Sequence, residues 1–121
     1  MIDNSLIRLN EKSVKTNINF LRSKLGEKVK ISAVVKANAY GHGIEQIVPV
    51  FEKYGIDHFS VFYYNEAIRV YNCLAKLKSI MVMGWLTDDN IRDAIEKGIE
   101  FFVFSVESSR VNNESRANLL N

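Results

Sequence analysis

Two hydrophobic periodicities alternate along this chain, and that alternation limits its fold more than any other feature. Val14, Ile18, Leu21 and Leu25 fall at steps of four, three and four, the spacing of one helical face. Asn10 is placed to cap that helix and Gly26 to end it. "KISAVVK" (residues 30–36) is short, β-branched and bounded by turn residues, and reads as a strand. Helical spacing returns at Ile44, Ile47, Val48 and Phe51. "HFSVFY" (58–63) reads as a second strand, followed by a helix capped by Asn65 that carries Ala67, Val70, Tyr71 and Leu74. "SIMVMG" (79–84) is a third strand, and Ile91, Ala94 and Ile95 mark a helix from near Thr87 to Gly98. "EFFVFS" (100–105) is a fourth strand. Residues 106–121 are expected to be helical but are weakly patterned.

The order is one helix and then four βα units. Strands that are apolar on both faces and alternate with helices predict a parallel α/β sheet with right-handed crossovers. A flavodoxin-like sandwich closes at about five strands. A (β/α)8 barrel needs about 250 residues, so on that reading these 121 residues form half a barrel. Pro49 interrupts the second helical pattern, so that helix either starts late or kinks.

Net charge is +2 and no segment concentrates Lys and Arg, so no nucleic acid and no anionic membrane partner is expected. No apolar run approaches the roughly 20 residues of a membrane span, and the first residues lack the pattern of a signal peptide. The expected location is cytoplasmic. The single cysteine, Cys73, excludes an intrachain disulfide and fits a reducing compartment. It has no His or Cys at ligand spacing, so a packed thiol and no metal site are expected.

"AVVKANAYGHG" (33–43) carries the chemistry. Lys36 ends the first strand on the face of Ser32 and Val34. In parallel α/β folds ligands bind at the carboxyl ends of strands. Partial desolvation there disfavours the ammonium form, and a neutral amine attacks an aldehyde to form a Schiff base. Gly41 and Gly43 permit close approach to a ligand, and a helix opening near Ile44 offers N–H groups to an anion. Tyr40 offers a phenol to a phosphate oxygen. An amine beside a phosphate-sized anion site suggests a phosphorylated aldehyde such as pyridoxal 5'-phosphate (PLP). A lysine merely extending from a strand end, followed by a glycine turn, is the plainer alternative.

The string "VVKANAYGHG" (34–43) closely resembles the PLP-attachment motif of alanine racemases. "RLNEKSVKTNINFLR" (8–22) looks like that family's entry strand and first helix. "SVFYYNEAIRV" (60–70) looks like its second strand and helix, with the Glu-Ala pair at Glu66 and Ala67. "SIMVMGW" and "EFFVFSVES" follow in the expected places.

The resemblance implies a PLP-binding (β/α)8 barrel domain, of which residues 1–121 would be the first half, followed by a C-terminal β-domain absent from this chain. It implies an enzyme, an isomerase that interconverts L- and D-alanine by two-base proton transfer and supplies D-alanine for peptidoglycan. It gives Lys36 the roles of PLP Schiff-base former and base, and Tyr40 that of phosphate partner. It implies a homodimer, in which the second base is a tyrosine from the partner's C-terminal domain. His42 lies in the motif but is expected only to pack or bond to backbone. The family's later pyridine-facing arginine has no counterpart here, and neither Arg110 nor Arg116 is assigned to it. The expectation is a truncated chain, inactive alone. The alternatives are a non-catalytic PLP-binding module and a flavodoxin-like binding domain.

Overall fold

The computed structural model describes residues 5–107. The elements run α1 (Glu11–Leu25), β1 (Ser32–Val34), α2 (Lys36–Tyr40), α3 (Ile44–Lys53), β2 (His58–Val61), α4 (Tyr64–Cys73), β3 (Ser79–Val82), α5 (Asp88–Glu96) and β4 (Glu100–Phe101). All four strands are parallel and pair in chain order, β1-β2-β3-β4. That order is the first half of a (β/α)8 barrel. The flavodoxin-like sheet needs β1 between β2 and β3, so that alternative is removed.

Strand alternation divides the sheet into two unlike faces. Val35, Phe59, Val61, Ile80 and Val82 point toward the helices and are essentially inaccessible. They pack with Ile18, Ile47, Val48, Ala67, Val70, Ile91 and Ala94 into one core. The register places Ser32 beside His58, Val34 beside Ser60, Ser60 beside Met81 and Met81 beside Glu100, all on the opposite face. Ser32 and Val34 are exposed there.

Local chemistry sets the helix ends. The Asn10 carboxamide accepts the Ser13 N–H at 3.0 Å, and Gly26 closes α1 at φ 78°. α3 starts at Ile44 and runs through Pro49, so the late-start option is corrected. The proline, which has no N–H, leaves the Glu45 carbonyl without the usual donor from the next turn. α4 is capped by Tyr63, not Asn65: Glu66 reaches back to the Phe62 and Tyr63 N–H groups at 3.2 and 3.1 Å. Asn65 instead accepts the Glu66 N–H from inside the first turn. The strands are shorter than their apolar runs, because residues 62–63, 83–84 and 102–105 lie beyond the ladders. The helix expected over 106–121, with Arg110 and Arg116, falls almost wholly outside the described residues.

Among the described residues no helix is long and apolar enough to cross a membrane. Cys73 is half-buried, and desolvation pushes its thiol above the usual range, as a packed thiol requires.

Candidate active site

Lys36 sits at the carboxyl end of β1, but it is not a strand residue. The ladder ends at Val35, whose N–H donates to the Ser60 carbonyl at 2.8 Å and whose ψ of 24° leaves the extended region. Lys36 therefore opens α2, and its side chain is half-buried. Among the described residues its amine has no hydrogen-bond or ion-pair partner.

The chain after Lys36 turns the wrong way for L-residues. Ala37, Asn38, Ala39 and Tyr40 have φ values of 51, 53, 54 and 55°. Each such left-handed residue costs roughly 1–2 kcal/mol. Internal bonds offset part of that cost. The Asn38 carbonyl accepts from Gly41 and Gly43 at 3.1 and 2.9 Å, and the Ala39 carbonyl accepts from His42 at 3.0 Å. The His42 ring donates from Nδ1 to the same Ala39 carbonyl at 2.9 Å, so His42 is bonded to backbone as expected.

These bonds correct the expected anion seat. The Ile44 N–H is not free, because the Asn38 side-chain oxygen accepts it at 3.1 Å. The Gly41, His42 and Gly43 N–H groups are likewise used within the loop. What the loop presents outward is a side chain. Tyr40 is 63% exposed, and among the described residues its hydroxyl has no partner.

Three residues on neighbouring helices hold the loop from outside. The Glu66 carboxylate is buried and takes the Asn38 N–H at 3.4 Å. Arg69 donates to Asn38 Oδ1 at 2.6 Å and forks onto both oxygens of Glu45 at 2.6 Å each. That fork holds the Glu45 carboxyl down at about 2.

Beneath the site the inner face carries a polar chain absent from the sequence reading. The Ser32 hydroxyl lies 2.7 Å from the Ser60 hydroxyl and 2.7 Å from His58 Nδ1. His58 Nε2 lies 3.6 Å from the Glu100 carboxylate. His58 and Ser60 are buried, so these bonds satisfy groups that could not otherwise be left dry. The signal was the period-two alternation of "HFSV", polar on one face and apolar on the other.

Gly84 is a second position that the sequence reading passed over. Its N–H donates to the Phe62 carbonyl at 3.0 Å. A Cβ there would stand 2.5 Å from the same oxygen, so only glycine fits beside the end of β2.

The profile of the family "alanine racemase, N-terminal domain" matches residues 9–119. The chain belongs to the alanine racemase family. Alanine racemase 2 of Caldanaerobacter subterraneus is 29% identical over 103 residues, 84% of this chain and 26% of that protein. A solved alanine racemase from Clostridium difficile, in complex with cycloserine, superposes with a TM-score of 0.82 at 28% identity, over 96% of this chain and 32% of that one. A histidine racemase from Leuconostoc mesenteroides superposes with a TM-score of 0.79 at 25% identity, over 90% of this chain and 29% of that one. The chain spans about a quarter of the length of the curated relatives it matches. The matched residues 9–119 include Lys36 and the "VVKANAYGHG" string.

Proposed function

We propose that this chain supplies the PLP-bearing part of an alanine racemase, with Lys36 as the covalent anchor of the cofactor and as one of two opposed bases. The observation that carries this reading is the placement at the carboxyl end of β1 of an amine that has no partner among the described residues, beside a loop that exposes the Tyr40 hydroxyl. The residues present fit PLP in part. Lys36 offers the amine that bonds its aldehyde, and Tyr40 offers a donor to its phosphate. The Gly41, His42, Gly43 and Ile44 N–H groups are spent within the loop, and the Tyr40 hydroxyl is the donor proposed for the phosphate. When bound, PLP supplies an electron sink for the charge left as the substrate Cα proton departs.

Racemisation removes a proton on one face of Cα and returns one on the other. Lys36 can serve one face only. The second base lies outside these residues, and a tyrosine of a partner subunit is the candidate that the family resemblance supplies. The proposal therefore includes a homodimer, a C-terminal β-domain that completes the site, and a cytoplasmic enzyme making D-alanine for peptidoglycan. The likeness to a histidine racemase supports the amino-acid substrate class beyond alanine.

PLP titration followed by the absorbance of the protein-bound cofactor tests this reading. Lys36→Ala should abolish the bound-cofactor band. Tyr40→Phe should keep it but weaken retention by roughly one to two orders of magnitude, the value of one hydrogen bond to a charged group. An unchanged band in Lys36→Ala would overturn the assignment.

A further inference from the structure

The left-handed run after Lys36 is strained in four consecutive residues, yet its position is set from outside the loop. Strained backbone persists only where its surroundings over-determine it. Asn38 is where those surroundings converge. Its N–H goes to Glu66, its side-chain oxygen receives both Arg69 and the Ile44 N–H, and its carbonyl receives Gly41 and Gly43. Glu66 and Arg69 are three residues apart on α4, so one helical face carries both. Neither is free to drift. Glu66 is locked by the Phe62 and Tyr63 N–H groups at the end of β2, and Arg69 by its fork on Glu45 of α3.

We propose that Glu66 and Arg69 are positioning residues: through Asn38 they hold residues 37–40 left-handed, and so aim Lys36 and Tyr40 toward the mouth of the barrel. The consequence for Lys36 rests on its reading as the cofactor anchor. The consequence for the backbone does not.

The chemistry dictates the variants. Glu66→Gln replaces an acceptor oxygen with an NH2 group that faces backbone donors. Arg69→Met keeps an apolar stem and a good helix former but removes all three guanidinium bonds. Arg69→Lys restores a charge that cannot fork, and should rescue only in part.

The test uses the 121-residue chain labelled for NMR, with two readouts on each variant. The first is the set of Cα and Cβ shifts and HN–Hα couplings of Ala37–Tyr40, which report the sign of φ, together with exchange of the Asn38 amide. The second is the ratio of PLP labelling at Lys36 to that at exposed Lys53, fixed by borohydride in the same sample. Glu66→Gln and Arg69→Met should each lose the positive-φ signature. Asn38 exchange should quicken roughly 10- to 100-fold and the Lys36 to Lys53 ratio should fall about tenfold, the scale of one lost charge-assisted bond. Amides of Phe59 and Ile80 should stay protected. An unchanged signature in Arg69→Met, which changes a half-exposed side chain and so spares the core, overturns the clamp. A loop that loosens while the labelling ratio holds overturns the positioning of Lys36. Should the unmodified chain label Lys36 no faster than Lys53, the cofactor reading fails, and the shifts still decide the clamp.

Discussion

The two faces of the sheet are made of different chemistry, although the same four strands supply both. The helix-facing side is a continuous apolar layer with Phe59, Val61 and Val82 fully buried. The opposite side carries Ser32, His58, Ser60 and Glu100 in one polar chain, with Lys36 beyond its upper end. Cohesion therefore belongs to the outer side, and polar hydrogen bonding to the inner side. The contrast explains why a sheet of such short strands tolerates a strained loop at its edge. Of residues 37–40 Ala39 alone is buried in the core, and the rest of the loop is fastened to it by hydrogen bonds.

Substitutions on the outer face should give the largest loss of stability. Phe59→Ala should cost about 3–5 kcal/mol, read by denaturant unfolding, because it empties a site with no solvent access. A loss below about 1 kcal/mol would break the comparison. Gly84→Ala tests the seam where the faces meet. It forces a methyl against the Phe62 carbonyl and should cost about 1–3 kcal/mol, with the end of β2 losing amide protection first.

Acid should act on the loop clamp before the core. Arg69 holds the Glu45 carboxyl at about 2 in the folded chain, against an ordinary value of 4.5. A depressed carboxylate contributes stability above its unfolded value and loses it as pH falls through its folded value. The contribution should thus be complete above pH 4.5 and fade toward pH 2. Both side chains are about two-fifths exposed, so solvent screening limits it to under about 1 kcal/mol. NMR shifts of Arg69 should follow this window, and Arg69→Met should erase it. Lys53→Ala should do least. Lys53 and its partner Glu11 are both exposed to solvent, and no change in unfolding midpoint is expected.

The sequence disclosed most of the architecture because the dominant signals were local. The step of three and four residues in α1 and the β-branched run at "AVV" need no distant partner, and the parallel α/β class followed from the alternation, which left the strand order open between a half-barrel and a flavodoxin-like sheet. Lys36 and Tyr40 stood out through their motif. The clamp was not, because Arg69 meets Asn38 across 31 residues and Glu45 across 24. The left-handed turn was missed for a related reason. Ala37, Asn38 and Ala39 carry no residue that demands positive φ, so bonds from α4 and within the loop, not propensity, impose it. The capping role given to Asn65 failed because the helix already starts at Tyr64, with Tyr63 at its N-cap and Glu66 reaching back to the Phe62 and Tyr63 N–H groups. His58 and Ser60 were read only as members of a strand, since their partners Ser32 and Glu100 are set by the parallel register.

Peptide mapping asks whether Lys36, at the carboxyl end of β1, is chemically distinct from the other lysines of the chain. The chain is incubated with PLP, reduced with borohydride and digested. The pyridoxyl group is expected on Lys36. A label spread evenly over Lys24, Lys53 and Lys76 would contradict it, leaving the stretch after β1 as a strand end and a turn.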